Sequence, residues 1–208
     1  MPVATASTTP NSPTSPTSEC NGRSSGLACD DEDVPEPGTT AVVIVLPDAA
    51  PLLDAAWRID PALVRRGVPA HVSLLYPFVP ESALTGQDEN DVRSLAASTP
   101  AADLLLEEVV TAPGFVAVTV PGLQPIVDAF HSQWPALRPY KGRFGVRPAA
   151  HVTVAMGADD PTTAACVRAA IGNLLPVRTR AAAVQLVVLR EEGWQSRFTV
   201  PLGDPDGP

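Results

Sequence analysis

An α+β fold built from two similar halves is predicted for this 208-residue chain by three observations. Short, β-branched apolar runs alternate with stretches of helical length. A pair of strand-like segments closes each half, which favours small, mainly antiparallel sheets flanked by helices around a cleft. The order strand, helix, histidine strand, helix, paired strands occurs twice, so the two lobes are expected to be related by a pseudo-twofold axis.

Residues 1 to about 40 are rich in Ser, Thr, Pro and Gly and have no hydrophobic period, which reads as a disordered, solvated tail. Up to Gly38 the acids Glu19, Asp30, Asp31, Glu32, Asp33 and Glu36 face one base, Arg23. The tail therefore carries about −5 of the net −9, and the remainder is only mildly acidic. Order is expected from Ala41, where Ala41–Leu46 is continuously apolar and reads as a buried strand. A helix should run from about Pro51, a residue tolerated in a first turn, to Arg65. His71–Phe78 reads as a strand closed by Pro80. A helix follows over about 88–97, then strands near 104–110 and 115–120.

The second half repeats the order. After strand 115–120 a helix is expected from Leu123 to about Trp134, then a loop rich in Pro, Gly and Arg. A second histidine strand covers 149–156, and a helix covers about 162–174. Strands near 184–189 and 197–202 close the chain around a turn at Gly193-Trp194. The expected organisation is a tail over 1–40, an ordered domain over 41–203 with lobes of about 41–112 and 113–203 whose strands can be exchanged, and a C-terminal tail over 204–208.

Composition narrows the function. A hydrophobic fraction of 45% supports a real core. No run approaches the ~20 apolar residues of a membrane span, so no membrane partner is expected. The N-terminus lacks a basic start and an apolar stretch, and three cysteines (Cys20, Cys29, Cys166) do not make a disulfide framework. The expected compartment is therefore a reducing cytoplasm. An acidic chain is a poor partner for DNA. Between Asp128 and Asp159, however, Arg138, Lys141, Arg143 and Arg147 occur without an acid, which suits a small anionic ligand.

The chemistry concentrates in two of the three histidines. They sit in near-identical tetrapeptides, His71-Val72-Ser73-Leu74 and His151-Val152-Thr153-Val154, 80 residues apart. In a strand, residues i and i+2 share a face. Each tetrapeptide therefore offers an imidazole and a hydroxyl on one side, with apolar residues on the other. If the strands are neighbours, two imidazoles and two hydroxyls converge. In-line displacement at phosphorus needs a base for the nucleophile and an acid for the leaving oxygen, and an ordinary histidine pKa near 6.5 suits both tasks. Ser73 and Thr153 would donate to the non-bridging oxygens. Tyr76, Tyr140, Lys141, Arg143 and Phe144 are candidate substrate contacts, Tyr140 and Phe144 by stacking a base and Tyr76 by facing the cleft. His131 matches neither motif and is expected to play a surface or capping role. Neither Cys-x-x-Cys nor His-Glu-x-x-His occurs in the ordered part, so no metal site and no cofactor are expected.

With its paired His-x-[Ser/Thr]-x motifs, the segment 41–203 resembles the two-histidine (2H) phosphoesterase superfamily, the 2′-5′ RNA ligase-like and cyclic phosphodiesterase-like proteins. Tyr76-Pro77-Phe78 after the first motif, Pro139–Phe144 before the second, and the closing Gly193-Trp194 and Pro201-Leu202-Gly203 add to the resemblance. Ala150 departs from it, standing where many members have proline. The resemblance implies a bilobal α+β fold, with His71 and His151 as the catalytic pair and Ser73 and Thr153 as phosphate-binding hydroxyls. It also implies activity on 2′,3′-cyclic phosphates, 2′-5′ linkages or related phosphodiesters. The expected partner is a nucleotide or short RNA terminus. A non-catalytic nucleotide or RNA-end binder, and a phosphoesterase acting on a non-nucleotide metabolite, remain as alternatives.

Overall fold

The computed structural model describes residues 35–65, 67–142, 145 and 147–203. The expectations for the tails 1–34 and 204–208, and for Arg143 and Phe144, fall outside these residues. Among the described residues the chain is α+β. In order it forms β1 (Thr40–Val45), α1 (Ala50–Ile59), β2 (His71–Leu75), α2 (Gly86–Ser98), β3 (Ala102–Leu106), β4 (Val109–Ala112) and β5 (Gly114–Thr119). There follow α3 (Gln124–Gln133), β6 (His151–Ala158), α4 (Pro161–Gly172), β7 (Val177–Ala181), β8 (Ala183–Arg190) and β9 (Gly193–Pro201).

Two antiparallel sheets result. The larger has seven strands in the order β4-β5-β6-β2-β1-β8-β9, and the smaller pairs β3 with β7. The two histidine strands are neighbours at the middle of the larger sheet, joined at Val72↔Val152. Pairing crosses the chain's midpoint, since β4 lies against β5 while the last hairpin, β8–β9, lies against β1.

The elements follow from local sequence. Ala41–Ile44 are all buried, as a continuous apolar run requires. In β8, Val184, Leu186 and Val188 are buried while Gln185 and Val187 are half-buried, so this strand shows one face to the core and the other to the cleft. Helix α2 starts at a capping box, in which the Thr85 side chain accepts from the Asp88 N–H and the Asp88 carboxylate accepts from the Thr85 N–H. Asp160 caps α4 by accepting from the Thr163 N–H at 2.8 Å. Helices α1 and α3 have no side-chain cap and carry Pro51 and Pro125 in their first turns instead.

The structure departs from the sequence reading at several elements, among them β9, which begins at Gly193 and takes in the residues expected to form the turn. Helix α1 stops at Ile59 rather than near Arg65. The residue before Pro61 is driven out of helical conformation, and Asp60 is extended and caps the short 3-10 turn Pro61–Leu63. The single strand expected over 104–110 is two, β3 and β4, which are separated by Glu107-Glu108 and join different sheets. Strand β7 was not anticipated, because Arg178 and Arg180 give it the polarity of a loop. They are its exposed face, whereas Thr179 and Ala181 are buried.

One hydrophobic core runs under both ends of the large sheet. Helix α1 packs on α4, and α3 packs on the back of β2. Trp134 stacks on Phe130 at 5.9 Å, meets Phe78 edge-on at 5.1 Å, and donates its indole N–H to Asp88 at 3.1 Å, which ties α3 to α2. His131, on α3, is half-buried and hydrogen-bonded to the Leu74 backbone rather than standing at the surface. Arg190 pairs with Glu81, and Arg197 with Glu89 at 2.7 Å, bracing the β8–β9 hairpin. Cys166 is disulfide-bonded, which corrects the expectation of reduced thiols; the other two cysteines lie outside the described residues. No helix of the described residues is long and apolar enough to cross a membrane.

Candidate active site

The antiparallel pairing at Val72↔Val152 determines how the four polar residues of the two tetrapeptides meet. Residues flanking such a pair are themselves opposite one another. His71 therefore stands across from Thr153, and Ser73 across from His151. Val72, Leu74, Val152 and Val154 are 0–1% exposed, whereas the two histidines, Ser73 and Thr153 are half-buried. The alternation thus puts hydrocarbon under one face and two imidazole–hydroxyl pairs on the other.

The two strands are anchored alike. The Nδ1 of His71 lies 2.7 Å from the Pro69 carbonyl, and the Nδ1 of His151 lies 2.7 Å from the Ala149 carbonyl. A carbonyl only accepts, so each Nδ1 carries its hydrogen and each Nε2 is the basic nitrogen of its ring. Ala70 and Ala150, just before the histidines, are buried, and their carbonyls accept from the N–H groups of Leu46 and Val120, both at 2.8 Å. Each of those donors directly follows the strand that enters its half.

Burial holds the His71 pKa below its ordinary 6.5. The hydrogen bond to Pro69 opposes that, while repulsion from His151 and Arg65 adds to it. Burial likewise lowers His151, against the hydrogen bond to Ala149. Both imidazoles are therefore biased toward the neutral form, and their mutual repulsion disfavours charging both at once.

A cleft of about 340 Å³ opens beside this face and is lined by His71, Ser73 and Thr153. His151 borders it through two lining rings. Phe115 meets His151 edge-on at 5.2 Å, and Tyr140 lies tilted at 6.0 Å. The Tyr140 hydroxyl is also hydrogen-bonded to Ser73, and burial holds its pKa above the ordinary value. Tyr140 and Lys141 both have left-handed backbones, with φ of 50° and 54°. Such conformations cost about 1–3 kcal/mol each and persist only where the surroundings impose them. Here the Tyr140 N–H donates to the Tyr76 carbonyl at 2.6 Å, fastening the loop before the second motif to the turn after the first.

Of the sequence candidates, His71, His151, Ser73, Thr153, Tyr76 and Tyr140 come together around the cleft. Lys141 is exposed and does not line it. Sequence reasoning missed Phe115, Arg65 and Gln185. Phe115 sits in an apolar run with no mark of function, and Arg65 was read as the end of a helix. Gln185 alternates with buried aliphatics in β8, and that alternation was the available signal. Among the described residues no three of His, Cys, Asp and Glu gather in a metal-holding group.

A family model described as the 2′-5′ RNA ligase superfamily matches residues 46–193. No curated protein matches the chain in sequence. Among solved structures, LigT of E. coli complexed with NADP+ superposes with a TM-score of 0.53 at 16% identity, covering 82% of this chain and 100% of its own. TT0787 of Thermus thermophilus does so with a TM-score of 0.53 at 16% identity, covering 80% and 99%. A crystal structure described as a phosphoesterase gives 0.54 at 17% identity, covering 81% and 100%. At these identities the likeness is one of fold.

Proposed function

The chain belongs to the 2′-5′ RNA ligase superfamily, and from that membership we propose that it is a phosphodiesterase working by two-histidine acid–base catalysis without a metal. Its substrates in this reading are nucleoside or RNA-terminal 2′,3′-cyclic phosphates. The observation that carries the proposal is the meeting of the two histidine strands at Val72↔Val152, which puts both imidazoles and both hydroxyls on one face, with each Nδ1 held by a backbone carbonyl.

The chemistry follows from that arrangement. One neutral Nε2 takes a proton from water as its oxygen bonds to phosphorus. The other histidine, protonated, gives its Nε2 proton to the departing ribose oxygen as the P–O bond breaks. The ring opens to a phosphomonoester and a free hydroxyl. Ser73 and Thr153 donate to the non-bridging oxygens, where stabilisation counts most as charge shifts. The histidines end with their protonation states exchanged, and solvent resets them between turnovers. The crosswise arrangement lets either histidine serve as base. Ligation to a 2′-5′ linkage is the same ring opening with an RNA 5′-hydroxyl in place of water as the nucleophile.

Complexes of E. coli LigT with phosphate and with 3′-AMP support a nucleotide phosphoester as ligand. A division into lobes near residue 112 accords with the matching anchors at Pro69 and Ala149. Incubation with 2′,3′-cyclic nucleotides and with 2′-5′ and 3′-5′ dinucleotides, followed by chromatography, tests the reading. Ring-opened monophosphate is expected. Absence of product from the whole panel, with tight binding retained, would instead mark a nucleotide binder.

A further inference from the structure

We propose that the cleft contains a nucleobase subsite on its β1–β8 side, sized for one base, and that Gln185 reads the hydrogen-bonding edge of that base. The proposal rests on the phosphodiesterase reading for what brings the base there, namely a phosphoester held at the histidines.

Strand register places Gln185. Ser73 is opposite Val43 in the β1–β2 pair, and Val43 is opposite Gln185 in the β1–β8 pair. The three form one row across the sheet on the histidine face. With strands ~4.8 Å apart, Gln185 lies about 10 Å from Ser73, a distance that the ribose and ring of one nucleotide bridge. The floor between them is Val43, Val45 and Val187, and Tyr76 and Trp194 also line the space. The two rings are 6.1 Å apart and inclined at 64°. This surface matches the faces of a flat heterocycle.

Two features select a base over an aliphatic group. The Gln185 side-chain amide is half-buried and lines this apolar space, yet it has no hydrogen-bond partner among the described residues. An amide placed so is costly to cover with hydrocarbon and favours a ligand that hydrogen-bonds to it. Carrying both a donor and an acceptor, it matches the paired groups on a base edge. One base, rather than a strand, follows from size and charge. The cleft of about 340 Å³ is at the small end of ligand sites. Apart from His71, Arg65 is the one ionisable basic side chain among its described lining residues, whereas tracking a strand takes a row of cations.

Calorimetric titration of the full chain with the four nucleoside 3′-monophosphates and with ribose 3-phosphate, which lacks a base, tests this without relying on turnover. Binding at least ~10-fold tighter for a preferred nucleotide than for the base-free compound is expected. Gln185→Leu should bring the four nucleotides within ~3-fold of one another. Gln185→Glu, nearly isosteric but without the donor, should reorder them. Oligonucleotides ending in a 3′-phosphate should gain less than ~3-fold over the mononucleotide. Equal binding of ribose 3-phosphate, base discrimination retained in both variants, or a steady gain with each added nucleotide would overturn the subsite. Failure of the turnover panel alone would overturn the catalytic reading and leave this result standing.

Discussion

The Tyr140 hydroxyl is hydrogen-bonded to Ser73 while the ring of the same residue lies 6.0 Å from His151. One loop residue thus bridges the hydroxyl of the first motif and the imidazole of the second. In Tyr140→Phe the ring should stay while Ser73 loses its partner. A net hydrogen bond contributes about 0.5–1.5 kcal/mol, so kcat/KM should fall roughly 2- to 10-fold. Steady-state kinetics on a cyclic nucleotide check this, and a loss above ~1,000-fold would mean that the hydroxyl acts on the substrate itself.

His71→Gln and His151→Gln should each lower kcat by ~100- to 10,000-fold, the usual scale of general acid–base assistance. Because the two protons move in one displacement, the double variant should be little worse than the poorer single variant. Thermal melts run alongside separate loss of chemistry from loss of fold. Fully multiplicative losses would indicate independent roles.

The pH profile should be displaced to the acid side. Activity needs one histidine neutral and the other protonated, and the free protein holds both pKa values below the ordinary 6.5, chiefly through burial. The singly protonated pair is then most populated below pH 6.5, and kcat/KM should peak there and decline through neutrality. A bound phosphodiester anion favours imidazolium, so the kcat profile should lie at higher pH than that of kcat/KM. An optimum of kcat/KM above pH 8 would contradict the assignment.

Gly203→Ala should destabilise the fold without touching the cleft. A Cβ at this position would lie 2.4 Å from the Ala97 carbonyl oxygen, and backbone cannot swing aside as a side chain can. Gly203 also donates to Thr99 and accepts from Ala101, locking the segment after β9 to the end of α2. Overpacking of this kind costs about 1–3 kcal/mol. At ~2–4 °C per kcal/mol for a chain of this size, a melting temperature lower by roughly 2–12 °C is expected, with kcat unchanged at 25 °C.

How far the fold could be read from the residues depended on pattern length. Strands β1, β2, β5, β6 and β8 carry apolar runs or clean alternation, and all were anticipated within a few residues. β7 was hidden because its exposed face is arginine, and the β3–β4 break was hidden because both strands are apolar on either side of Glu107-Glu108. The two tetrapeptides were legible because strand periodicity alone puts a histidine and a hydroxyl on one face. Their crosswise meeting was not, since it depends on which residues pair between strands 80 positions apart. Nor could sequence show that β8 lies two strands from Ser73, which is what brings Gln185 to the cleft.

The union of β2 with β6 at a single matched pair of valines leaves the site intolerant of insertion or deletion. Slippage by one position within either strand would turn its imidazole and hydroxyl inward against hydrocarbon and bring its valines out to solvent. An exposed loop that carries no cleft residue can change length at little cost, but the count of residues between each histidine and its hydroxyl cannot drift, and the central ladder is where heritable change in length is forbidden.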